Sequence, residues 1–519
     1  MMNPKSLLTC LLFSFFAMAG LVGQTHYVPL KHSVYRVIRL IKTTNPDIIQ
    51  HYQQPYTRKE IQTFLHFAIN QDDGDINPTL LQRYLNEFED NDRHLVAYKK
   101  SDSEFLGDIY FGGQTQVSMR ELPFSRVDIG GNIRGYLGSS LSYQTDIITS
   151  VFLGNLDLKK GYSILEPLAP IKAHDFQSTA SGDFGESQVI LATDWGHVSF
   201  GSDLVGWGPG SSGHLLMDIQ TFSISDIHAT ATFGPFHYIK FFGTLDKLYP
   251  ITNGEGKEYL ANSRTLVAHR LDIRLSDRIQ FGVSESIVYN RNFELSYLNP
   301  LIPFTISEVQ TGDTDNNLAA VDFSVNIFQG SKLYIELMVD DMDFRQNWFK
   351  DYVNKWAILL GHQWANPFGL SNSLLTLETI RVEPYVYTHR DTANHYEFYG
   401  QSIGYDLEPN SLRYFASLDW FQQANQWHRL SIIHTLHGDG DRVFGNPANI
   451  SDDKEFLYGV FESRTKVIYA FEYEFFENMW LSLGINYESI KDEKIDNTFS
   501  EYGGDRNIAG LSLGFSLNY

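Results

Sequence analysis

Residues 511–519, at the end of the chain, read Leu-Ser-Leu-Gly-Phe-Ser-Leu-Asn-Tyr. Every odd-numbered position holds a large apolar or aromatic residue, and every even-numbered position holds a small or polar one. In an extended chain, successive side chains point to opposite faces, so this stretch has one apolar and one polar face. The pattern predicts a β-strand with very different surroundings on its two sides.

The two segments that precede this strand have the same alternation. Residues 467–475 and 479–487 carry Val, Tyr, Phe, Met, Leu and Ile at their odd positions, and mostly small, polar or charged residues between them. Only residues 476–478 separate the two segments. A wholly apolar face with aromatic residues at the strand ends is typical of a membrane β-barrel, with lipid outside and water inside. A soluble all-β fold, in which the apolar face points inward, is the alternative.

The start of the chain has the features of a secretory signal. Residues 1–23 contain Lys5, a short apolar run at 7–16 and then small residues up to Gly23. The only cysteine, Cys10, lies in this segment, so we expect neither a disulfide nor a thiolate metal site in the remaining chain. No later stretch has 18 consecutive apolar residues, so a membrane-spanning form of this chain would have to be a closed barrel.

The remaining sequence divides into two parts. Residues 24–104 predict a small helical periplasmic region, in which Thr57 and Glu60 form a capping box and Asn77-Pro78 begins another helix. Residues 105–519 predict an antiparallel transmembrane barrel of about 16–18 strands, at roughly 22 residues per strand and connection. Short and long connections alternate, and in bacterial outer-membrane barrels the short turns are periplasmic and the long loops external. We therefore expect the cell outer membrane as the location.

Charge and motifs exclude several functions. The formal net charge of −22 argues against nucleic-acid binding, which requires a basic surface. No G-x-S-x-G, H-E-x-x-H or phosphate-binding loop occurs, so we predict neither an enzyme nor a cofactor. Because catalytic triads are defined by geometry, a barrel hydrolase with a lone Ser–His pair is the alternative. We predict no metal site and interpret the oxygen-rich residues 313–317 as a solvated loop, with calcium as the alternative.

Strand parity places charged side chains inside the predicted barrel. Asp340 shares its inward face with Tyr334 and Glu336, and Arg270 shares its face with Asp272. Such charges could brace the barrel wall by pairing, or they could form a polar path for a ligand.

Two other polar residues do not fit the alternation of apolar outward and polar inward positions. His269 and Glu285 fall at lipid-facing positions on strands joined by the turn at 276–277, and counting from that turn places them nearly opposite each other. A β-bulge could turn both inward, or they could pair near the membrane interface.

Several groups of residues, in order along the chain, resemble one protein family. They are Trp207-Gly208-Pro209-Gly210, His269-Arg270-Leu271-Asp272-Ile273 with Leu295-Ser296-Tyr297-Leu298-Asn299-Pro300-Leu301, Asp340-Asp341, and Glu378, Arg381 and Tyr387-Thr388-His389. Together with the helical start and the terminal strand, they make the chain resemble the capsule-assembly Wzi family, in the branch common in Bacteroidota.

The resemblance implies an outer-membrane barrel with a lectin-like role, which binds and organises capsular polysaccharide at the cell surface. It implies surface polysaccharide and outer-membrane lipid as partners, with polysaccharide export machinery as a further candidate. Sugars bind to aromatic faces and to planar or charged polar groups. Our candidate glycan-binding residues are therefore Trp207, Arg270, Asp340 and Asp341. A wall aromatic is the alternative for Trp207, and a porin-like channel is the alternative for the whole protein.

Overall fold

The computed structural model describes the residues 25–48, 51–71, 76–89, 94–118, 123–154, 179–245, 251–253, 256–258, 264–291, 293–312, 314–343, 345–438, 453–459, 462–492 and 504–518. The predicted signal, 1–23, and much of the two long loops expected near the C-terminus lie outside the described residues.

Within these residues, 18 antiparallel strands form a closed barrel. The strands are β1 Ser103–Ser118, β2 Phe124–Leu137, β3 Leu141–Gly154, β4 Thr179–Ala192, β5 Gly196–Trp207, β6 Met217–Phe233, β7 Phe236–Thr244, β8 Arg264–Ser276, β9 Ile279–Asn290, β10 Asn316–Phe328, β11 Ser331–Asp341, β12 Lys355–Ala365, β13 Ser373–Val382, β14 Ser411–Gln423, β15 Gln426–His437, β16 Glu462–Phe476, β17 Met479–Lys491 and β18 Arg506–Asn518. The predicted terminal strand closes the barrel by pairing with β1, as Gly510 with Ser118 and Asn518 with Tyr110. The fold class is confirmed.

The alternation in sequence becomes an alternation of burial. On β11, Tyr334, Glu336 and Asp340 are buried inside the barrel, while Leu333 on the other face is exposed. Leu511 and Leu513 of the terminal strand are likewise exposed on the outer surface. An outward apolar band of this kind is the lipid-facing surface of a membrane barrel.

The connections alternate as expected. At one end, which we call the short-turn end, strands are joined by turns such as 277–278 and 477–478. At the other end, the long-loop end, they are joined by connections such as 342–354 and 383–410.

Within the described residues, three helices precede the barrel. They are α1 Val34–Thr44, α2 Arg58–Asn70 and α3 Pro78–Phe88. The predicted capping box forms, since the Thr57 hydroxyl accepts from the backbone N–H of Glu60 and the Glu60 carboxylate accepts from the backbone N–H of Thr57. Asn77 caps α3 through the N–H of Thr79. Among the helices of the described residues, none combines the length and apolarity that a membrane span needs.

These helices lie inside the short-turn end of the barrel. Arg36 of α1 binds Glu472 of β16 through two hydrogen bonds, of 2.6 and 2.8 Å, and covers the Trp427 ring of β15. On the opposite wall, Tyr27 hydrogen-bonds His197 and His228. The helices also form one apolar core with residues of the barrel wall, among them Leu374 and Phe421. The helical region therefore acts as a plug that is bonded to strands around the barrel.

The remaining short elements lie in the connections. They are α4 Phe304–Thr311, the 3₁₀ turns Pro46–Ile48, Leu295–Leu298, Pro367–Gly369 and Thr392–Asn394, and the two- to five-residue strands Gln53–Gln54, Val96–Lys100, Ile251–Asn253, Gly256–Glu258, Glu397–Phe398 and Gln401–Ser402.

The plug contains a buried lysine that makes its stability depend on pH. Burial lowers the pKa of Lys42 to about 7, with the charge of Lys332 adding to the effect. Below pH 7 the folded chain has to hold a buried ammonium group. The ordinary lysine pKa, which applies to the unfolded chain, is about 10.4, so between pH 7 and about 10.4 the unfolded chain binds more protons than the folded one. We expect the free energy of unfolding to rise across that window by up to ~4 kcal/mol relative to a Lys42→Met variant, as measured by urea unfolding in detergent.

Lys59→Met, which removes a lysine at an exposed position of α2, is the matched control. If the difference between the Lys42→Met variant and the unmodified protein is independent of pH, the lysine is not titrating in this window.

Candidate functional site

A loop between β5 and β6 crosses the barrel interior. Residues 208–216 reach two carboxylates on the far wall, Glu336 of β11 and Glu378 of β13. Glu336 accepts hydrogen bonds from the backbone N–H groups of Gly210 and Leu215, each at 2.9 Å. Glu378 accepts from the N–H groups of Ser211 and Ser212, at 2.7 and 3.0 Å. We call residues 208–216 the crossing loop.

The two carboxylates also hold side chains. The Tyr334 hydroxyl donates to Glu378 at 2.5 Å, and Glu336 lies 3.3 Å from Nδ1 of His214. Burial opposes protonation of His214, but the hydrogen bond and charge of Glu336 outweigh it and raise the pKa of His214 above its ordinary value. Gly208 has φ +140°, and an added Cβ there would lie 2.3 Å from the Glu336 carboxylate, so the glycine of the Trp-Gly-Pro-Gly motif is needed for this close approach.

A second connection, 383–410, folds into the barrel from the long-loop end. Its Tyr387 donates to the backbone oxygen of Leu215 at 2.7 Å, and its Tyr396 donates to that of Leu216 at 2.8 Å. The crossing loop in turn touches the plug, where the N–H of Gly208 donates to the carbonyl of Tyr52 at 3.0 Å. Plug, crossing loop and connection 383–410 therefore form one packed column through the interior.

Two of the four predicted glycan-binding residues lie in this packed interior. Trp207 is 2% exposed and packs edge-to-face with Phe241. Arg270 is paired with Asp272 and Asp322, at 2.6 Å each, and is covered on all sides. Arg270 therefore makes the contacts expected of a charge that braces the barrel wall by pairing with its neighbours. The prediction that these residues bind a glycan is not tested by these contacts and stays a prediction.

The other two candidates lie at the long-loop end of β11. Asp340 is buried and accepts from the N–H of Tyr387 at 2.6 Å. Asp341 lies 2.5 Å from Nζ of Lys355, and its side chain is 56% exposed. Of the four candidates, Asp341 is the one with a surface that a ligand from solution could reach.

A cluster of aromatic and basic side chains lies at the same long-loop end and includes Trp356, which follows the Lys355 that binds Asp341. It joins the connections 342–354 and 383–410 to the described residues 453–459. Its members, which we call the mouth cluster, are Trp348, Phe349, Tyr352, Trp356, Arg381, Tyr385, Phe456 and Tyr458.

Most of these side chains are in ring contact. Phe349 packs edge-to-face on Trp356 at 5.8 Å between centroids, and the guanidinium of Arg381 lies 3.8 Å from the Phe456 ring centre and 5.2 Å from that of Trp356. Tyr352 contacts both Tyr385 and Tyr458. Phe349 is 66% exposed, and Trp356 and Arg381 lie on the outward faces of β12 and β13, so the cluster exposes an aromatic face at the outer rim of the long-loop end.

Charged groups fix and surround the cluster. Glu383 binds Arg381 at 2.6 Å and Lys454 at 3.0 Å, and Lys454 also donates to the Asn354 carbonyl at 2.7 Å. Burial lowers the pKa of Lys454, although the charge of Glu383 opposes this. Asp343 and Arg345 pair at the surface, and the hydrogen bonds from Arg345 lower the pKa of Asp343 to about 2. The cluster thus combines aromatic faces with both signs of charge, as a polar glycan requires.

This cluster is not among the candidate sites predicted from the sequence. The signal was present in residues 347–350, Asn-Trp-Phe-Lys, where two adjacent large aromatics stand in a polar connection outside the alternation of the strands. The second half of the cluster comes from a connection more than 100 residues further along the chain, and no local pattern links the two. Among the described residues there is no group of His, Cys, Asp and Glu side chains that could hold a metal ion.

The sequence of this barrel matches a known protein family. The sequence pattern of the family described as capsule assembly protein Wzi matches residues 124–502, which is more than half of the chain. The chain belongs to this family. With its closed barrel, the Wzi-family chain is an outer-membrane protein. The comparison with curated proteins found no match.

A solved structure, that of Escherichia coli Wzi, shows the same fold. Wzi of Escherichia coli, an outer-membrane protein of group 1 capsule assembly described as a carbohydrate-binding β-barrel, aligns with TM-score 0.56 at 13% identity, over 96% of this chain and 100% of that one. OprD of Pseudomonas aeruginosa aligns with TM-score 0.44 at 12% identity, over 80% and 95% of the two chains. OccAB2 of Acinetobacter baumannii aligns with TM-score 0.44 at 8% identity, over 80% and 98%. The last two likenesses are too weak to bear on function.

Proposed function

We propose that this Wzi-family barrel binds surface polysaccharide at its mouth cluster and thereby holds capsule on the cell, without catalysing a reaction. The observation that carries the proposal is an exposed aromatic and charged surface at the rim of a barrel whose interior is crossed by contacts from the plug through the crossing loop to connection 383–410. A barrel that conducts solutes needs a continuous aqueous path, and the plug, the crossing loop and connection 383–410 occupy that position. The carbohydrate binding described for Escherichia coli Wzi supports the same function here.

The ligand surface would combine stacking with charge. A pyranose ring could stack on Phe349, while Arg345 and Arg381 bind carboxylate or hydroxyl groups of the glycan. Asp341, the exposed member of the predicted set, would accept hydrogen bonds from sugar hydroxyls. In this arrangement Trp207, Arg270 and Asp340 support the wall and the connections beneath the glycan.

The same proposal names the partners of the protein. Capsular polysaccharide is the partner at the mouth, outer-membrane lipid surrounds the wall, and export machinery would deliver the polysaccharide. The Bacteroidota branch of the family stays our prediction for the origin of the chain.

We expect a Phe349→Ala/Arg345→Ala variant to bind the host's purified surface polysaccharide about 5–30-fold more weakly than the unmodified protein. Loss of one stacking contact and one cation contributes about 1–2 kcal/mol. Binding would be measured by titration of detergent-solubilised protein. Because both side chains are exposed, folding should not change. Phe368→Ala, at an exposed phenylalanine of the short-turn end, is the matched control and should bind normally. Unchanged binding by the double variant would contradict the assignment of the site.

The cellular experiment tests the function itself. Deletion of the gene in its host should shed polysaccharide that is synthesised at the normal rate, and the unmodified gene should restore retention while the double variant should not. Unchanged retention together with altered solute uptake would instead support the porin-like alternative.

A further inference from the structure

The connection between β9 and β10 lies against the outer wall of the barrel. It contains the turn Leu295–Leu298 and helix α4, Phe304–Thr311. Tyr297 and Phe304 of this connection form a small core with Val267, Ile287 and Tyr289, whose side chains point outward from β8 and β9. We call residues 293–312 the outer-wall segment.

This segment accounts for the two polar residues at lipid-facing positions. His269 and Glu285 are direct partners in a regular register, without a bulge between them, and their Nε2 and Oε2 atoms lie 3.0 Å apart. The same Glu285 oxygen accepts from the N–H of Phe304 at 2.8 Å, and the Phe304 ring stacks on His269 at 4.4 Å. The outer-wall segment therefore covers a polar pair that would otherwise face lipid.

The exposed face of the segment is mostly apolar. Helix α4 turns Ser307 and Glu308 toward the protein, and it exposes Ile306 and Val309, the latter to 68%, beside the polar Thr305 and Gln310. Leu301, in the preceding loop, is 88% exposed. A helix on a water-facing surface has the opposite arrangement, with its polar residues outward.

This apolar face continues the lipid-facing band of the wall. On β10, directly beside α4, the outward residues Val321, Phe323 and Ile327 are exposed. They form a column that runs from the short-turn end toward the outer-wall segment. The segment is held against the wall by a hydrogen bond in which the Asn317 amide donates to Thr305 Oγ1 at 2.9 Å. Leu301, Ile306 and Val309 extend this column toward the long-loop end.

We propose that the outer-wall segment is embedded among the acyl chains of the outer leaflet and is a membrane-anchoring surface of this protein. The occupant is lipid because the exposed face is continuous with the band that already contacts lipid, and because a polar pair at that depth needs a cover. The segment fixes how far the mouth of the barrel stands above the lipid surface. The proposal depends on the outer-membrane location and not on glycan binding.

The test uses single-cysteine variants of the full chain in which Cys10, the only native cysteine, is replaced by serine. Leu301→Cys and Val309→Cys are labelled with a polarity-sensitive fluorophore and reconstituted in phosphatidylcholine vesicles with brominated acyl chains. Ile129→Cys, on the outward face of β2, is the lipid-facing control, and Arg345→Cys, at the mouth, is the water-facing control.

We expect the labels at 301 and 309 to be quenched by the brominated chains within a factor of about two of the label at 129, and to resist aqueous iodide. Quenching by iodide, as at position 345, would overturn the proposal. Protection from both quenchers would also overturn it, because it would mean that a second copy of the protein covers the segment.

Discussion

In an Arg270→Met variant the free energy of unfolding should fall by about 3–5 kcal/mol, because the substitution leaves two buried carboxylates without their counter-ion. Arg270 uses all five of its N–H donors inside the wall. Asp272 receives two of them at 2.6 and 2.8 Å, Asp322 receives two at 2.6 and 3.1 Å, and Ser284 receives one at 3.1 Å. No donor is left for a ligand, so the expected effect is on stability and not on glycan affinity.

The same strand provides the control. Arg274 pairs with Asp277 in the exposed turn, so Arg274→Met should change the free energy of unfolding by less than about 1 kcal/mol. Adding Asp272→Asn and Asp322→Asn to Arg270→Met should recover most of the loss, since the buried charges are then removed together. Urea unfolding in detergent measures all three. A Arg270→Met protein that unfolds normally but fails to bind polysaccharide would instead establish the ligand path.

The outer surface of this barrel was predictable from sequence because lipid acts on each strand separately. Alternation at 511–519 is sufficient to assign the exposed face of β18, since every outward residue contacts the same apolar solvent. The pairing of His269 with Glu285 could likewise be counted from the turn that joins their strands. Both inferences depend on short separations along the chain.

The contacts inside the barrel were not predictable from the sequence, because they join residues that are far apart along the chain. Glu336 was placed on an inward face by parity, but its partners in the crossing loop, Gly210 and Leu215, are more than 100 residues away in sequence. Strand alternation gives the direction of a side chain and not its partner. Arg270 illustrates this limit, because parity left both bracing and ligand binding open and gave no sign of its partner Asp322 on the strand after next. The mouth cluster is assembled from three connections and from the ends of β12 and β13, so its signal is divided in the same way.

Removing both anchors of the crossing loop should release that loop while leaving the barrel closed to ions. In a Glu336→Ala/Glu378→Ala variant, the N–H groups of Gly210, Ser211, Ser212 and Leu215 lose carboxylate acceptors at 2.7–3.0 Å. Hydrogen bonds to a charged acceptor contribute about 1.5–3 kcal/mol each, so hydrogen exchange at these amides should accelerate by about 10–100-fold. Glu455→Ala, at an exposed site of the long-loop end, should leave their exchange unchanged.

Ion conductance of the same variant distinguishes a single gate from a packed column. The plug still fills the short-turn end through Arg36 and Tyr27, and connection 383–410 still packs beside the loop through Tyr387 and Tyr396. We therefore expect no steady current in a planar bilayer even when the crossing loop exchanges freely. A current that appears with loop release would show that the crossing loop alone seals the barrel, and it would return the porin-like function to consideration. Unchanged exchange would show that Tyr387 and Tyr405 hold the loop without the two carboxylates.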